Sequence, residues 1–401
     1  MEGEAEEYTQ MCLCGPDTWA VVIMKLHFLG TGSSYPTTRR GVSATALQHD
    51  DGCVWLFDCG EGTQIQAQKV AVSRQKITKI FITHLHGDHI FGLPGLLCTI
   101  SSQMGLVEEQ VKKKGPPIIE IFGPLGISRF ITTALSLSQS PLLYQFRVHE
   151  LVPEEVQHTQ GGEDFRVDIC SETTCHPSQL PGTHIRASSD TIGNVHWQLI
   201  DDERWCVSAG WIHHRVPTFG YVIKEKDRPG TLDTNKLLSL GIKPGPVYGQ
   251  LKGGKSVTTE NGERVTPEMV VGPAIPGRTV VILGDTSDAS PLAHLVESCD
   301  VVVHEATHDD TLKDKALEFG HSTPSQAVHF AKTISAKTLL LNHFSQRYLP
   351  TCKEATKNEE SIALLEEQAL TAAEGTTLHV QCTDDLFVYD MPSHPRHNVQ
   401  T

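Results

Sequence analysis

The chain has 401 residues, with 33 Lys and Arg against 48 Asp and Glu, for a formal net charge of −15. A uniformly acidic surface argues against nucleic acid, since neutralising phosphate takes Lys and Arg. Hydrophobic residues make up 39% of the chain, enough for a large core. No apolar run reaches about 18 residues, so no membrane span is expected.

Residues 1–23 begin with Glu2, Glu4, Glu6 and Glu7 and are expected to form a disordered extension. One body over 24–392 and a tail over 393–401 follow. An acidic start fits neither a secretory nor a mitochondrial leader, so the expected location is cytoplasm or nucleus. The 11 cysteines are odd in number and include no CxxC pair, the pattern of free thiols in a reducing compartment.

Strand-like runs are expected at 25–29, 53–57, 77–83 and 118–122, with helices at 63–72, 93–102 and 127–138. Alternating strand and helix is the pattern of an α/β layered fold. Residues 153–203 are rich in Gly, Ser, Thr and Asp and read as a surface insertion with a hairpin or two. Residues 205–212 read as a strand. Over 225–275, Arg228-Pro229-Gly230 and Lys243-Pro244-Gly245-Pro246 break regular structure, leaving one helical patch at 232–240 in a protruding arm. Local charge departs from the total here: from Lys224 to Arg278, nine basic residues face six acids, an excess of +3. Strands at 280–283, 301–304 and 337–341 and helices at 291–298 and 359–373 complete the pattern. Thr323-Pro324-Ser325-Gln326 is a capping box that starts another helix.

The densest chemistry is Thr83-His84-Leu85-His86-Gly87-Asp88-His89, directly after a strand. Imidazole and carboxylate are ligands for a borderline-soft divalent metal. His84 and His86 share a strand face and can grip one ion, while Asp88 and His89 follow the Gly87 turn and can reach a second. Two ions ~3.5–4 Å apart clamp an in-line attack on phosphorus. Further ligands belong at other strand ends. Asp285 after Gly284, His343 after Leu339-Leu340-Leu341, and His213 or His214 after the 205–212 strand all stand there. The two oxygens of Asp285 suit it to bridge both ions. His304 and Glu305 end another apolar strand as a candidate acid pair, and His321 is an orienting or structural residue. Asp58 and Thr83 are candidate orienters of the ligands.

These motifs resemble the tRNase Z family, tRNA 3′-processing endonucleases of the metallo-β-lactamase superfamily, in its short form. The likeness runs from Phe28-Leu29-Gly30-Thr31-Gly32 through Phe57-Asp58-Cys59-Gly60-Glu61-Gly62, the stretch 83–95, Phe219-Gly220-Tyr221, Gly284-Asp285-Thr286, His304-Glu305-Ala306-Thr307 and Gly320-His321-Ser322-Thr323 to Asn342-His343-Phe344-Ser345. It implies an αββα four-layer sandwich with 225–275 as a flexible tRNA-binding arm. It also implies two Zn2+ per subunit, with Mn2+ or another divalent metal as the variant. His84, His86 and His214 would hold one ion and Asp88, His89 and His343 the other, with Asp285 bridging. His214 is preferred over His213 by its distance to Phe219-Gly220-Tyr221. Asp88 would accept a proton, and His304 with Glu305 would return one to the leaving group. The implied partners are tRNA or pre-tRNA and a second copy of the chain in a homodimer. The alternatives are a general zinc phosphodiesterase acting on small or cyclic diesters, and a catalytically silent RNA-binding protein.

Overall fold

Apolar side chains alternate along the strands onto two faces, and both faces are buried, so each sheet is covered on both sides. The computed structural model describes residues 23–104, 117–154, 157, 176–259, 261–350 and 360–393. The expected extension up to residue 22, residues 158–175 of the irregular stretch and the tail from 394 lie outside the described residues.

The chain first lays down β1 (Ile23–Gly30), β2 (Ala44–Gln48), β3 (Val54–Phe57), β4 (Ile77–Phe81), β5 (Ile118–Pro124), β6 (Gln145–Leu151) and β7 (Gln179–Ile185). It then crosses over to β8 (Ser188–Ser189), β9 (Val195–Asp201), β10 (Trp205–Ile212) and β11 (Thr218–Glu225). A hairpin, β12 (Val257–Thr258) and β13 (Arg264–Val265), belongs to the excursion that follows. β14 (Thr279–Ile282), β15 (Cys299–Glu305) and β16 (Ala336–Asn342) return to the body. A short pair, β17 (Tyr348–Leu349) and β18 (Glu360–Ser361), precedes β19 (His379–Cys382) and β20 (Val388–Pro392). The first sheet has the order β20-β1-β2-β3-β4-β5-β6-β7 and the second β19-β16-β15-β14-β11-β10-β9-β8.

Between the sheets, Phe28, Trp55, Phe57 and Phe81 meet Trp197, Phe219, Tyr221, Val301 and Val303. Truncating fully buried Phe81 to Ala would cost ~3–5 kcal/mol through the cavity it leaves. On the outer face of the first sheet, Leu29, Leu56, Ile80 and Ile82 pack under the helices Leu93–Met104 and Ile127–Leu137. On the outer face of the second, Val281, Val302, Leu339 and Leu341 pack under Pro324–Thr333 and Ile362–Ala372. The four layers are those of the αββα sandwich.

Four local expectations need correction. The helix expected at 63–72 ends at Gln66, and that at 291–298 is a 3-10 turn, Ser290–Leu295. The described part of 153–203 is no mere insertion, because β7, β8 and β9 extend the edges of the two sheets and carry the chain between them. The stretch 225–275 holds three short helices rather than one: Thr234–Ser239, Pro246–Lys252 and Pro267–Val270. Pro246 and Pro267 start helices instead of breaking them, since a first-turn position has no backbone N–H bond to lose. Leu237, Ile242, Leu251, Val265 and Val270 give this arm a small core of its own. Its two legs leave from β11 and rejoin at β14, bonded to each other from Arg228 N to Ile275 O (2.9 Å) and from Ile275 N to Arg228 O (2.8 Å). No helix among the described residues is long and apolar enough to cross a membrane.

Candidate metal centre

The ends of β4, β10, β14 and β16 deliver the predicted side chains to one point between the sheets. One group comprises His84, His86, His214 and Asp285 and another Asp88, His89, Asp285 and His343, while a third, Asp285, Glu305, His321 and His343, overlaps the second. Within each group the ligand atoms lie within 4.8 Å of one another. His84 Nε2 and His214 Nε2 stand 3.0 and 3.2 Å from His86 Nδ1. Asp285 turns Oδ2 toward His84 Nε2 (3.7 Å) and Oδ1 toward both His89 Nε2 and His343 Nε2 (3.3 Å each). Asp88 Oδ2 is 3.4 Å from His343 Nε2. One carboxylate thus serves both groups.

The donor set fits a pair of divalent ions. A metal-binding imidazole characteristically gives its other ring N–H to a fixed acceptor, which points a lone pair inward. His214 Nδ1 donates to Gly320 O at 2.6 Å, and His89 Nδ1 lies 2.7 Å from Asp58 Oδ2. Thr83 Oγ1 is 3.1 Å from His84 Nδ1, and Thr307 Oγ1 is 3.0 Å from His343 Nδ1. Burial pushes His84, His86 and His214 below the ordinary histidine range, His214 to about 3, so their converging nitrogens carry lone pairs rather than protons. Burial acts the same way on His89, but Asp285 and Asp58 outweigh it and raise that ring. Asp88 is driven up by burial, yet the hydrogen bond from His343 and the charges of His89 and His343 hold it well below the carboxylate range.

The backbone is strained to make this arrangement. Asp58 (φ 57°) and His343 (φ 55°) both adopt the left-handed region, at a cost on the order of 1–3 kcal/mol each. Asp58 accepts from Thr83 N and Thr83 Oγ1, both at 2.8 Å, which locks the first strand of the motif. Gly320 sits at φ +75°, and a Cβ there would approach His214 Nδ1 to 2.7 Å, so only glycine can offer that carbonyl. Of the adjacent histidines, His214 turns into the cluster, while the His213 ring lies against Trp211 at 4.6 Å.

Comparison with known proteins bears on this geometry. The zinc phosphodiesterase ELAC protein 1 of Bos taurus is 44% identical over 373 residues, which cover 92% of this chain and 99% of the relative. The crystal structure of human tRNase Z, short form, superposes with a TM-score of 0.58 at 34% identity, covering 91% of this chain and 98% of that one. The chain belongs to the short-form tRNase Z family. It is a metal-dependent hydrolase of the ribonuclease Z type with the metallo-β-lactamase fold. The ribonuclease Z of Pediococcus pentosaceus is 38% identical over 327 residues, covering 81% of this chain and 89% of that protein. The family model of the anti-Pycsar protein Apyc1 matches residues 24–106, the segment that holds the histidine motif.

The expected acid pair needs correction within this family site. Successive residues of a strand face opposite sides of the sheet, and β15 turns Glu305 inward and His304 outward. Glu305 accepts from Thr286 N (2.7 Å) and Ser322 N (3.1 Å) and faces His321 Nδ1 at 3.0 Å. His304 instead packs near Phe330, ring centres 5.8 Å apart, beneath the outer helix. The histidine beside the metal centre is His321, 3.8 Å from Asp285 Oδ2, with 14% of its side chain exposed. Burial pushes His321 down, but Glu305, by charge and hydrogen bond, outweighs it and raises it to about 9. The period-two rule, applied to Val301 through Glu305, was the signal that separates His304 from Glu305.

Proposed function

We propose that the chain cleaves tRNA on its 3′ side with two zinc ions per subunit, leaving a 3′-hydroxyl on the tRNA and a 5′-phosphate on the trailer. The observation that carries this reading is the pair of ligand groups sharing Asp285, with the Glu305–His321 pair on the same face. His84, His86 and His214 would hold one ion and Asp88, His89 and His343 the other, with Asp285 between them. Bound as a pair, the ions supply positive charge to the phosphoryl oxygens and lower the pKa of water.

Asp88 is placed to accept the proton of the attacking water. Ser34 N donates to its Oδ2 at 2.7 Å, which fixes the carboxylate, and His343 and His89 keep it ionised. As water oxygen bonds to phosphorus, the bond from phosphorus to the tRNA 3′-oxygen breaks, and His321 delivers a proton to that oxygen. Glu305 keeps the His321 ring oriented and charged. The arm, rooted on β11 and β14, supplies reach toward the body of the tRNA, and its exposed Lys252 and Lys255 suit phosphate contacts. A paired-subunit arrangement belongs to the same reading. The exposed side chains of Ile65 and Phe91, 57% and 62% accessible, are consistent with a covered surface, and light scattering of the purified chain checks it.

The deciding experiment incubates 3′-labelled pre-tRNA with purified protein, with and without a chelator, and maps the cut. Chelator-sensitive cleavage at the trailer junction, with two equivalents of zinc by elemental analysis, is the expected result. His321→Ala tests the acid role. General acid catalysis contributes about 10²–10⁴-fold, so cleavage of pre-tRNA should fall by that factor. Bis(p-nitrophenyl) phosphate, whose leaving group needs no protonation, should be hydrolysed nearly as before. Equal loss on both substrates would reject the assignment.

A further inference from the structure

On the face of the second sheet away from the metal centre, the turn after Thr286 and the helices Lys313–Glu318 and Pro324–Thr333 enclose a cleft of about 750 Å³. Small-molecule sites typically span about 300–1,000 Å³. His304 lines this cleft and is only 2% exposed. Its Nδ1 donates to the Glu305 carbonyl at 2.8 Å. Burial keeps the ring below its ordinary pKa and therefore neutral, so Nε2 carries a lone pair and can only accept. Among the described residues Nε2 has no hydrogen-bond partner. Two residues earlier on the same outward face stands Val302, packed in the apolar layer. At the next outward position the polar ring of His304 opens onto the cleft, where its acceptor is available to a donor from solvent or from a ligand.

The rest of the lining narrows what that something is. Ser287 and Asp288 stand on one side, Gln326 and Lys313 on the other, with the Phe330 ring beside His304. Two carboxylates, Asp288 and Asp310, stand there against one lysine, Lys313, which disfavours a phosphate and favours an uncharged molecule that brings N–H and O–H donors. Phe330 offers a face for a planar ring.

We propose that this cleft is a second ligand site that takes a nucleoside, its base on Phe330, one N–H donated to His304 Nε2 and a hydroxyl donated to Asp288. The cleft is also tied to the catalytic side of the sheet. Ser322 Oγ donates to Thr286 O (2.5 Å), and Ser322 N and Thr286 N both donate to Glu305. An occupant therefore presses on the backbone that orients Glu305 and His321 and alters the rate of cleavage. That coupling rests on the proposed function; the binding does not.

Calorimetric titration of adenosine, guanosine, cytidine and uridine into the full-length protein tests it. Four proteins are compared: wild type, His86→Ala, His304→Phe and Ser290→Trp, the last filling the exposed rim. At least one nucleoside should bind saturably to wild type and equally to His86→Ala, and at least tenfold more weakly to both cleft variants. Thermal unfolding should be unchanged in Ser290→Trp, which keeps the test decisive if His304→Phe folds poorly. Lack of saturable binding at millimolar concentration would overturn the site. So would wild-type affinity in either folded cleft variant, or loss confined to His86→Ala, which would put the nucleoside in the catalytic cleft. Cleavage of pre-tRNA by the same wild-type preparation reports separately on the proposed function.

Discussion

The metal centre and the arm are built on opposite principles. In the centre, nearly every functional atom is held from behind: His89 by Asp58, His84 by Thr83, His214 by the Gly320 carbonyl and His343 by Thr307. The side chains come from strand ends in both sheets, and one supporting residue, Asp58, and one ligand, His343, sit in strained backbone. The arm has a five-residue buried cluster and two bonded legs. Its direction depends on what happens at the root, where Glu225 meets Arg278 Nε at 2.8 Å, Arg204 Nη2 at 3.4 Å and Arg228 Nε at 4.0 Å. The contrast separates two demands. Bond cleavage needs groups fixed to fractions of an ångström, whereas reach toward a large substrate needs a module that can be added to that scaffold without disturbing it.

If the separation holds, damage to the centre should be blind to substrate size. His86→Ala should lose metal and depress turnover of both pre-tRNA and bis(p-nitrophenyl) phosphate by roughly three decades, several kcal/mol at about 1.4 kcal/mol per tenfold. Circular dichroism should show a folded protein. Turnover that persists after one ion is lost would break the paired-ion scheme. Removing the arm should give the opposite pattern. Thr231 and Gly272 are already bonded backbone to backbone at 2.9 Å, so a short Gly-Ser turn can replace what lies between them. Cleavage of pre-tRNA should fall roughly a hundredfold or more as remote binding energy is lost, with the small diester untouched. Equal loss on both substrates would mean that the arm supports the centre rather than the substrate, and full retention on pre-tRNA would favour a small or cyclic diester as the true substrate.

The pH profile sharpens the same contrast. His321 is raised to about 9, so its proton is present at neutral pH and lost as pH climbs through that value. Turnover of pre-tRNA should fall on that alkaline limb. Hydrolysis of the p-nitrophenyl ester, which needs no proton donor, should lack it, and so should the residual activity of His321→Ala.

The centre was far more legible in the sequence than the arm, for a physical reason. Strand ends are marked by apolar runs that stop at a polar residue, so Asp285, His343 and the pair His213-His214 could be found one at a time, beside the compact motif from His84 to His89, with the resemblance needed to prefer His214. The misreading of His304 came from treating sequence neighbours as spatial partners; on β15 they face opposite sides, and the partner of Glu305 lies 16 residues on, at His321. The arm has no such marker. Leu237, Ile242, Leu251, Val265 and Val270 keep no common period, so their shared core emerges only from the tertiary arrangement. The strands β7, at one sheet edge, and β9, next to the edge of the other, were hidden for a related reason: their residues are largely half-buried or exposed and lack an apolar run.

The smallest expected effect lies at the arm's root. Asp50, an exposed residue whose side chain is 18% accessible, pairs with Arg204 and stands 3.9 Å from Arg228 Nη1. Burial raises the Asp50 carboxyl, but the hydrogen bond and charge of Arg204 outweigh it and hold it low. A partly solvated pair of this kind is worth at most about 1 kcal/mol, or roughly fivefold. Asp50→Asn should therefore raise KM for pre-tRNA by a factor of about two to five, with kcat and small-diester hydrolysis unchanged. Because the stability that Asp50 contributes is fully present above the unfolded carboxylate pKa and lost as pH falls from there through the lowered folded value, the shift in KM should be full at neutral pH. High salt, which screens partly exposed charges, should narrow the gap between variant and wild type. A gap that persists at high salt would mean that Asp50 acts by packing at the turn before β3, not by aiming the arm through charge.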